Sequence, residues 1–161
     1  MPNPVLSAGS RAPAFTLASS EGGRLRLTGL RGQWVVLLFY ARDGARTCTQ
    51  ELCDFQELLP SFEERGAAVI GLCSDPVEEH KDFARELGLG FPLLCDRDSR
   101  VAARYGAWRE KRSNGRRWLG LVRSTFLLDP GGRVVRVFDN VRVRGHAQRV
   151  LAALDAALAR A

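Results

Sequence analysis

Only two lysines, Lys81 and Lys111, and two histidines, His80 and His146, occur in 161 residues, so the formal charge of +6 is almost wholly arginine. The densest basic cluster, Arg109, Lys111, Arg112, Arg116 and Arg117, has no nucleic-acid-binding motif beside it. Arginine, alanine, leucine and glycine dominate the whole chain together, so the cluster reads as a solvated face of a compositional bias, and no nucleic-acid partner is expected. No stretch approaches the roughly 20 apolar residues of a membrane span. The start, Met1 to Ser7, lacks the basic residues and apolar run of a secretory signal, so the expected setting is a reducing cytoplasm with no membrane contact and no structural disulfides. The four cysteines, Cys48, Cys53, Cys73 and Cys95, show no C-x2-C spacing, and the two histidines lie far apart; zinc is a poor explanation of that pattern, and no cofactor is expected. Repeats and low-complexity linkers are absent too. With 45% hydrophobic residues, residues 1–161 are expected to form one domain with a full core.

What is present centres on Cys48. It follows an apolar strand, Trp34 to Tyr40, and stands where a helix begins. Unpaired N–H groups and a partial positive charge at a helix N-terminus favour a thiolate there. Thr47-Cys48-Thr49-Gln50 fits a capping box, with Thr47 as N-cap, Cys48 at the first helical position and Gln50 reaching back. Cys53 comes five residues later. Along an ideal helix that spacing separates the two Cα atoms by about 8–9 Å, beyond the reach of a disulfide. Bond formation therefore requires local unwinding, and C-x4-C would be a redox switch. The spacing alone equally allows two ordinary buried cysteines. Leu52, Phe55, Leu59 and Phe62 mark the core face of this helix, with Cys48 on the stripe and Cys53 flanking it.

The remaining pattern is α/β. Phe15–Leu17 and Leu25–Leu30 predict an N-terminal hairpin; strand 34–40 and a helix from Cys48 to about Arg65 follow, then strand Ala67–Cys73. Asp75-Pro76 opens a helix with proline at its first position, ending near Gly88. A strand at Phe91–Cys95, a short helix at Ser99–Tyr105, a hairpin of Ser124–Leu128 and Arg133–Asn140, and a last helix at His146–Ala159 complete the chain. This order predicts a thioredoxin-like fold, a central mixed sheet flanked by helices and preceded by a hairpin. Cys73 and Cys95 fall in or at the ends of strands and read as core residues, while His80 and His146 read as helix-terminal or packing residues.

Several motifs occur in an order that resembles one family. They are Gly9 with Ala12-Pro13 and Phe15-Thr16-Leu17, Phe39-Tyr40, Asp43, Cys48-Thr49, Glu51, Cys53, Gly71, Ser74-Asp75, His80, Phe83, Asp96, Tyr105-Gly106, Arg123-Ser124-Thr125-Phe126, Asp129, Gly132 and Gly145-His146. Over nearly the whole chain the sequence resembles a peroxiredoxin of the bacterioferritin-comigratory or PrxQ branch, in the AhpC/TSA superfamily. The resemblance implies a thiol-dependent peroxidase with Cys48 as peroxidatic cysteine, Cys53 as resolving cysteine, and Arg123 stabilising the thiolate and polarising the peroxide. Tyr40, Thr47 and Thr49 would line the peroxide. It further implies recycling by a thioredoxin-type or glutaredoxin-type donor, and a monomer or weak homodimer. An arginine suits that role because its charge is permanent and its donors form a fixed fork.

Two positions depart from the family. Where it carries a proline seven residues before the peroxidatic cysteine and a threonine or serine three before it, this chain has Ala41 and Ala45. The missing hydroxyl would orient the peroxide, and losing one such transition-state hydrogen bond commonly costs about 10²- to 10³-fold in rate. Two functional classes stay open: a thiol peroxidase, and a non-peroxidase thioredoxin-fold redox sensor or thiol-disulfide partner that kept Cys48 and Cys53.

Overall fold

The structure is a computed structural model that describes residues 4–161; Met1 to Asn3, which open the stretch judged not to be a secretory signal, lie outside the described residues. The elements run β1 (Thr16–Ala18), β2 (Arg24–Arg26), β3 (Trp34–Phe39), α1 (Arg46–Glu64), β4 (Ala67–Cys73), α2 (Val77–Leu87), β5 (Leu93–Cys95), α3 (Arg100–Arg104), β6 (Trp108–Ser113), β7 (Arg116–Leu121), β8 (Ser124–Leu128), β9 (Val134–Phe138) and α4 (His146–Arg160). Five strands form a central mixed sheet in the order β5-β4-β3-β8-β9. β3, β4 and β5 are parallel, whereas β8 runs antiparallel to β3 and β9.

The continuous apolar runs of β3 and β4 follow from burial on both faces. On one face Val36, Leu38 and Val69 meet Leu52, Phe55 and Phe62 of α1 and Val150 and Leu154 of α4. On the other, Val35, Leu37 and Phe39 meet Phe15 and Leu27 of the N-terminal segment and Val101, Ala102 and Tyr105 in and after α3. The expected mixed sheet with flanking helices and an N-terminal hairpin, β1–β2, is therefore present. In register, Phe39 pairs with Ser124. That pairing sets Arg123, the residue before β8, beside the end of β3 where the loop to Cys48 departs.

Three expectations need correction. Helix α1 starts at Arg46 with Ala45 as N-cap and no side-chain capping bond, so the capping box does not form. Thr47 is exposed within the first turn, Gln50 instead bonds Asp54 at 2.7 Å, and Cys48 stands at the third helical position. Pro76 is the N-cap of α2, with extended backbone, rather than its first helical residue. The second strand of the N-terminal hairpin stops at Arg26, and Leu27–Leu30 form a 3-10 turn that buries Leu27. The hairpin β6–β7 was not anticipated. Its strands are joined by Asn114 and Gly115, whose φ angles of 51° and 75° are both positive, as a two-residue type I′ turn requires.

Gly106 fixes the approach of the N-terminal segment. Its φ is +79°, and a Cβ there would meet Pro4 O at 2.3 Å and Val5 Cα at 2.4 Å. Gly106→Ala is expected to destabilise the fold by about 1–3 kcal/mol, read as a lowered midpoint of urea unfolding; an unchanged midpoint contradicts this packing.

Candidate active site

Cys48 lies in the first turn of α1, which the chain reaches through the loop 40–45 after β3. Its side chain is buried. Arg123 donates from Nη2 to Cys48 Sγ at 3.2 Å and from Nη1 to Glu51 Oε1 at 2.5 Å. One guanidinium thus joins a sulfur and a carboxylate that sit three residues apart on the same helix face. Sequence reasoning matched Glu51 to the family but gave it no role; its place one turn after Cys48 is the available signal.

Glu51 is fully buried, and its second oxygen, Oε2, has no hydrogen-bond partner among the described residues. Burial pushes its pKa up to about 7, against the lowering pull of the Arg123 charge and hydrogen bond. His146 Nε2 lies 3.9 Å from that oxygen, beyond hydrogen-bond range, and shares a hydrogen bond with Thr125 Oγ1 at 2.8 Å. Burial, aided by the Arg149 and Arg123 charges, lowers the His146 pKa to about 4. At neutral pH the ring is therefore an uncharged neighbour of Glu51.

The other expected site residues are placed as follows. Cys53 lies in the same unbroken helix, partly buried, with its thiol pKa raised by burial and then by the Asp54 charge. Thr49 is half-buried and its N–H donates to Ala45 O at 2.8 Å. Thr47 lines an open groove with Arg46, Gln50, Val143, Arg144 and Gln148. Tyr40 is buried, and its hydroxyl is committed to Asp43 Oδ1 at 2.7 Å. Cys48, Glu51 and Arg123 are brought together; Tyr40 belongs to a second polar cluster beneath the loop. There Asp43, Cys73 and His80 offer ligand atoms within 4.8 Å of one another. His80 Nδ1 and Asp43 Oδ2 are only 2.6 Å apart, a direct hydrogen bond, whereas two ligands of one zinc ion stand about 3.3 Å apart. The cluster as built is a hydrogen-bonded pair.

The two buried groups behind Arg123 respond oppositely to pH. Glu51, raised in the folded state, contributes stability that is present below its unfolded pKa of 4.5 and lost as pH rises through about 7. His146, lowered, contributes stability that is present above 6.5 and lost as pH falls through about 4. His146→Asn should remove the second effect, on the order of 2–3 kcal/mol. Relative to the wild type, the variant gains stability on acidification from pH 6.5 to 4 in urea titrations. Parallel wild-type and variant profiles across that window contradict the assignment.

Residues 8–137 match the AhpC/TSA family. Peroxiredoxin Bcp of Xanthomonas campestris is 41% identical over 140 residues, covering 87% of this chain and 88% of its own. Peroxiredoxin Bcp of Bacillus subtilis is 34% identical over 150 residues, covering 93% and 96%. Among solved structures, peroxiredoxin Q of X. campestris superposes with a TM-score of 0.84 at 41% identity, over 88% of this chain and 90% of that one. A PrxQ variant of Xylella fastidiosa superposes with a TM-score of 0.89 at 32% identity, over 97% and 99%. A further structure, of the X. campestris bacterioferritin comigratory protein, concerns its alkyl peroxide reduction through trapped intermediate and ligand complexes; it is 40% identical with a TM-score of 0.84 over 88% and 90%. Similar in sequence and in its thioredoxin-like fold over most of its length, the chain belongs to the AhpC/TSA family, in the Bcp/PrxQ branch of the peroxiredoxins.

Proposed function

We propose that this peroxiredoxin is a thiol-dependent peroxidase that reduces hydrogen peroxide or organic hydroperoxides at Cys48 and is recycled through a Cys48–Cys53 disulfide. The observation that carries the reading is the buried Cys48 sulfur in the first turn of α1 with Arg123 Nη2 at 3.2 Å. The thiolate attacks the nearer peroxide oxygen, the O–O bond breaks, and the departing oxygen leaves as an alcohol or water after taking a proton. Arg123 stabilises the sulfur anion before attack and the developing oxyanion during it. Cys48 becomes a sulfenic acid. Condensation with the Cys53 thiol then releases water and forms the disulfide. While α1 is intact the two cysteines are too far apart to bond, so the helix must open from its N-terminus. A thioredoxin-type or glutaredoxin-type dithiol reduces the disulfide by exchange. The chain acts as one domain in the cytoplasm, as a monomer or weak homodimer, without metal or organic cofactor.

Thr47 and Thr49 flank Cys48 and are the hydroxyls nearest to it in sequence for orienting a peroxide. Ala45, at the family's hydroxyl-bearing position, is the specific observation that favours the second reading, a redox sensor or thiol-disulfide partner. Peroxide consumption with a thioredoxin system, run on wild type and Cys48→Ser, decides between the two: activity that depends on Cys48 selects the peroxidase.

Mild peroxide is expected to yield an intramolecular Cys48–Cys53 disulfide, detected by non-reducing peptide mapping. Cys53→Ser should still oxidise once at Cys48 but fail to turn over. Cys48 found bonded to Cys73 or Cys95 overturns the resolving role.

Ala45→Thr carries two separable consequences. Its hydroxyl should raise the second-order rate of Cys48 oxidation by about 10-fold or more, while alkylation by a reagent without an O–O bond changes little. Because Ala45 is the N-cap of α1, the same hydroxyl should cap the helix, worth about 0.5–2 kcal/mol, and so slow disulfide formation. Stopped-flow traces in which oxidation and alkylation accelerate equally, or neither changes, remove the main support for the peroxidase.

A further inference from the structure

Beneath the loop that leads into Cys48 lies a second set of buried polar groups with every position occupied. Tyr40 Oη donates to Asp43 Oδ1 at 2.7 Å. His80 Nδ1 faces Asp43 Oδ2 at 2.6 Å, and the Asp43 N–H donates to Asp75 Oδ2 at 2.7 Å. His80 Nε2 faces the Cys73 carbonyl at 3.4 Å, while Cys73 Sγ donates to the Ala41 carbonyl at 3.5 Å. His80 is 0% exposed, and the Asp43 side chain 8%. The grouping of cysteine, histidine and carboxylate invites comparison with an activated nucleophile. The chemistry is different: the ring nitrogen meets the carbonyl of Cys73 and not its sulfur, and burial pushes the Cys73 thiol well up. Both ring nitrogens of His80 face oxygen acceptors, an arrangement that suits a doubly protonated ring paired with Asp43.

We propose that His80 is a positioning residue for the reaction at Cys48: paired with Asp43, its imidazolium pins the 41–45 loop to the end of β4 and to α2, and so fixes where α1 begins. The inference rests on the peroxidase reading above. Position 41 is alanine, so no ring restrains the loop's φ there, and the N-cap of α1 has no side-chain bond of its own. The anchors instead come from below, from Tyr40 just after β3, Cys73 on β4, Asp75 in the turn after β4, and His80 on α2. These are also the titratable groups that face the pair. Burial opposes the charged ring, but the hydrogen bond and charge of Asp43 outweigh it, and the His80 pKa is raised. Asp43 precedes Cys48 by five residues, so a shift at this anchor moves the sulfur relative to Arg123. Misplacing reacting atoms by about 1 Å can cost about 10²-fold.

The test combines a mutant cycle with two measurements independent of turnover. His80→Ala and Asp43→Ala should each slow oxidation of Cys48 by hydrogen peroxide about 10-fold or more, with less effect on its alkylation by iodoacetamide. The double variant should be no slower than the worse single one, because the two residues act as a unit. Asp43→Asn, which keeps an acceptor for the ring but not the charge, should fall between wild type and Asp43→Ala. In wild type, nitrogen-detected NMR at pH 7 should show both His80 ring nitrogens protonated, and His80→Ala should speed hydrogen exchange of the 41–48 amides. Additive effects in the cycle, equal slowing of oxidation and alkylation, or a neutral His80 ring overturns the proposal. Unchanged exchange of the loop overturns it whether or not the chain is a peroxidase, whereas a wild type without Cys48-dependent peroxide consumption overturns only the peroxidase reading.

Discussion

One guanidinium holds two groups that the fold otherwise has no reason to bury together. Arg123 is reached 75 residues after Cys48 in sequence, and the register of β8 against β3 delivers it, because Ser124 pairs with Phe39 at the strand end. Glu51 keeps the fork in plane by taking one arm, leaving the other for sulfur. That arrangement is costly at Glu51, whose second oxygen is buried without a partner; the raised pKa is the direct expression of the cost. A neutral His146 beside it adds no repulsion to Arg123 and no second counter-ion to compete for Glu51. The thiol therefore faces a cation whose orientation is settled before any peroxide arrives.

The weak start of α1 suits the chemistry proposed for it. Ala45 supplies no capping side chain, and no acidic residue stands in the first turn. Arg46, a cation at the positive end of the helix dipole, works against the helix there. A good cap would contribute about 1 kcal/mol, and each such contribution would raise the cost of opening the turn that carries Cys48. Further along, the core stripe Phe55, Leu59 and Phe62 is strong enough to hold the helix through Pro60, despite an intrinsic penalty of about 3 kcal/mol for an interior proline. The helix is thus uncapped where the proposed mechanism moves the sulfur and well packed where it lies on the sheet.

What was legible in the sequence follows the same division. β3 and β4 could be read because both faces are buried and their runs are continuously apolar; Ala67–Cys73 was placed to the residue. Cys48 was singled out by its place between an apolar strand and a helix start, whereas Arg123 was recognised through family motifs, since nothing in local patterning links residues so far apart. The start of α1 was misread because Thr47 and Gln50 fit a capping box, while the chain turns helical two residues sooner on a residue with no capping group. β6 and β7 were missed because their side chains are largely exposed and arginine-rich; only Asn114-Gly115 marked the turn. Asp43 and His80, 37 residues apart, carry no periodic signal, and their pairing is a property of the packed sheet end alone.

Four thiols share this small fold, and their surroundings separate them. Burial raises the thiol pKa of Cys53, Cys73 and Cys95 alike, and in each case a nearby carboxylate adds to it: Asp54 for Cys53, Asp75 and Asp43 for Cys73, Asp96 for Cys95. Arg97 pulls the other way at Cys95 but does not prevail. Cys48 alone among them takes a hydrogen bond from a half-buried arginine, Arg123. Burial works against ionisation at those three sulfurs, whereas Cys48 is the one placed against a guanidinium. For Cys53 the restraint is conditional: it belongs to the folded helix, and opening α1 brings the thiol into water and away from the buried setting that keeps it protonated. In the mechanism proposed for Cys53, resolution is thereby coupled to unwinding: the movement that brings this thiol within reach of Cys48 is the one that exposes it.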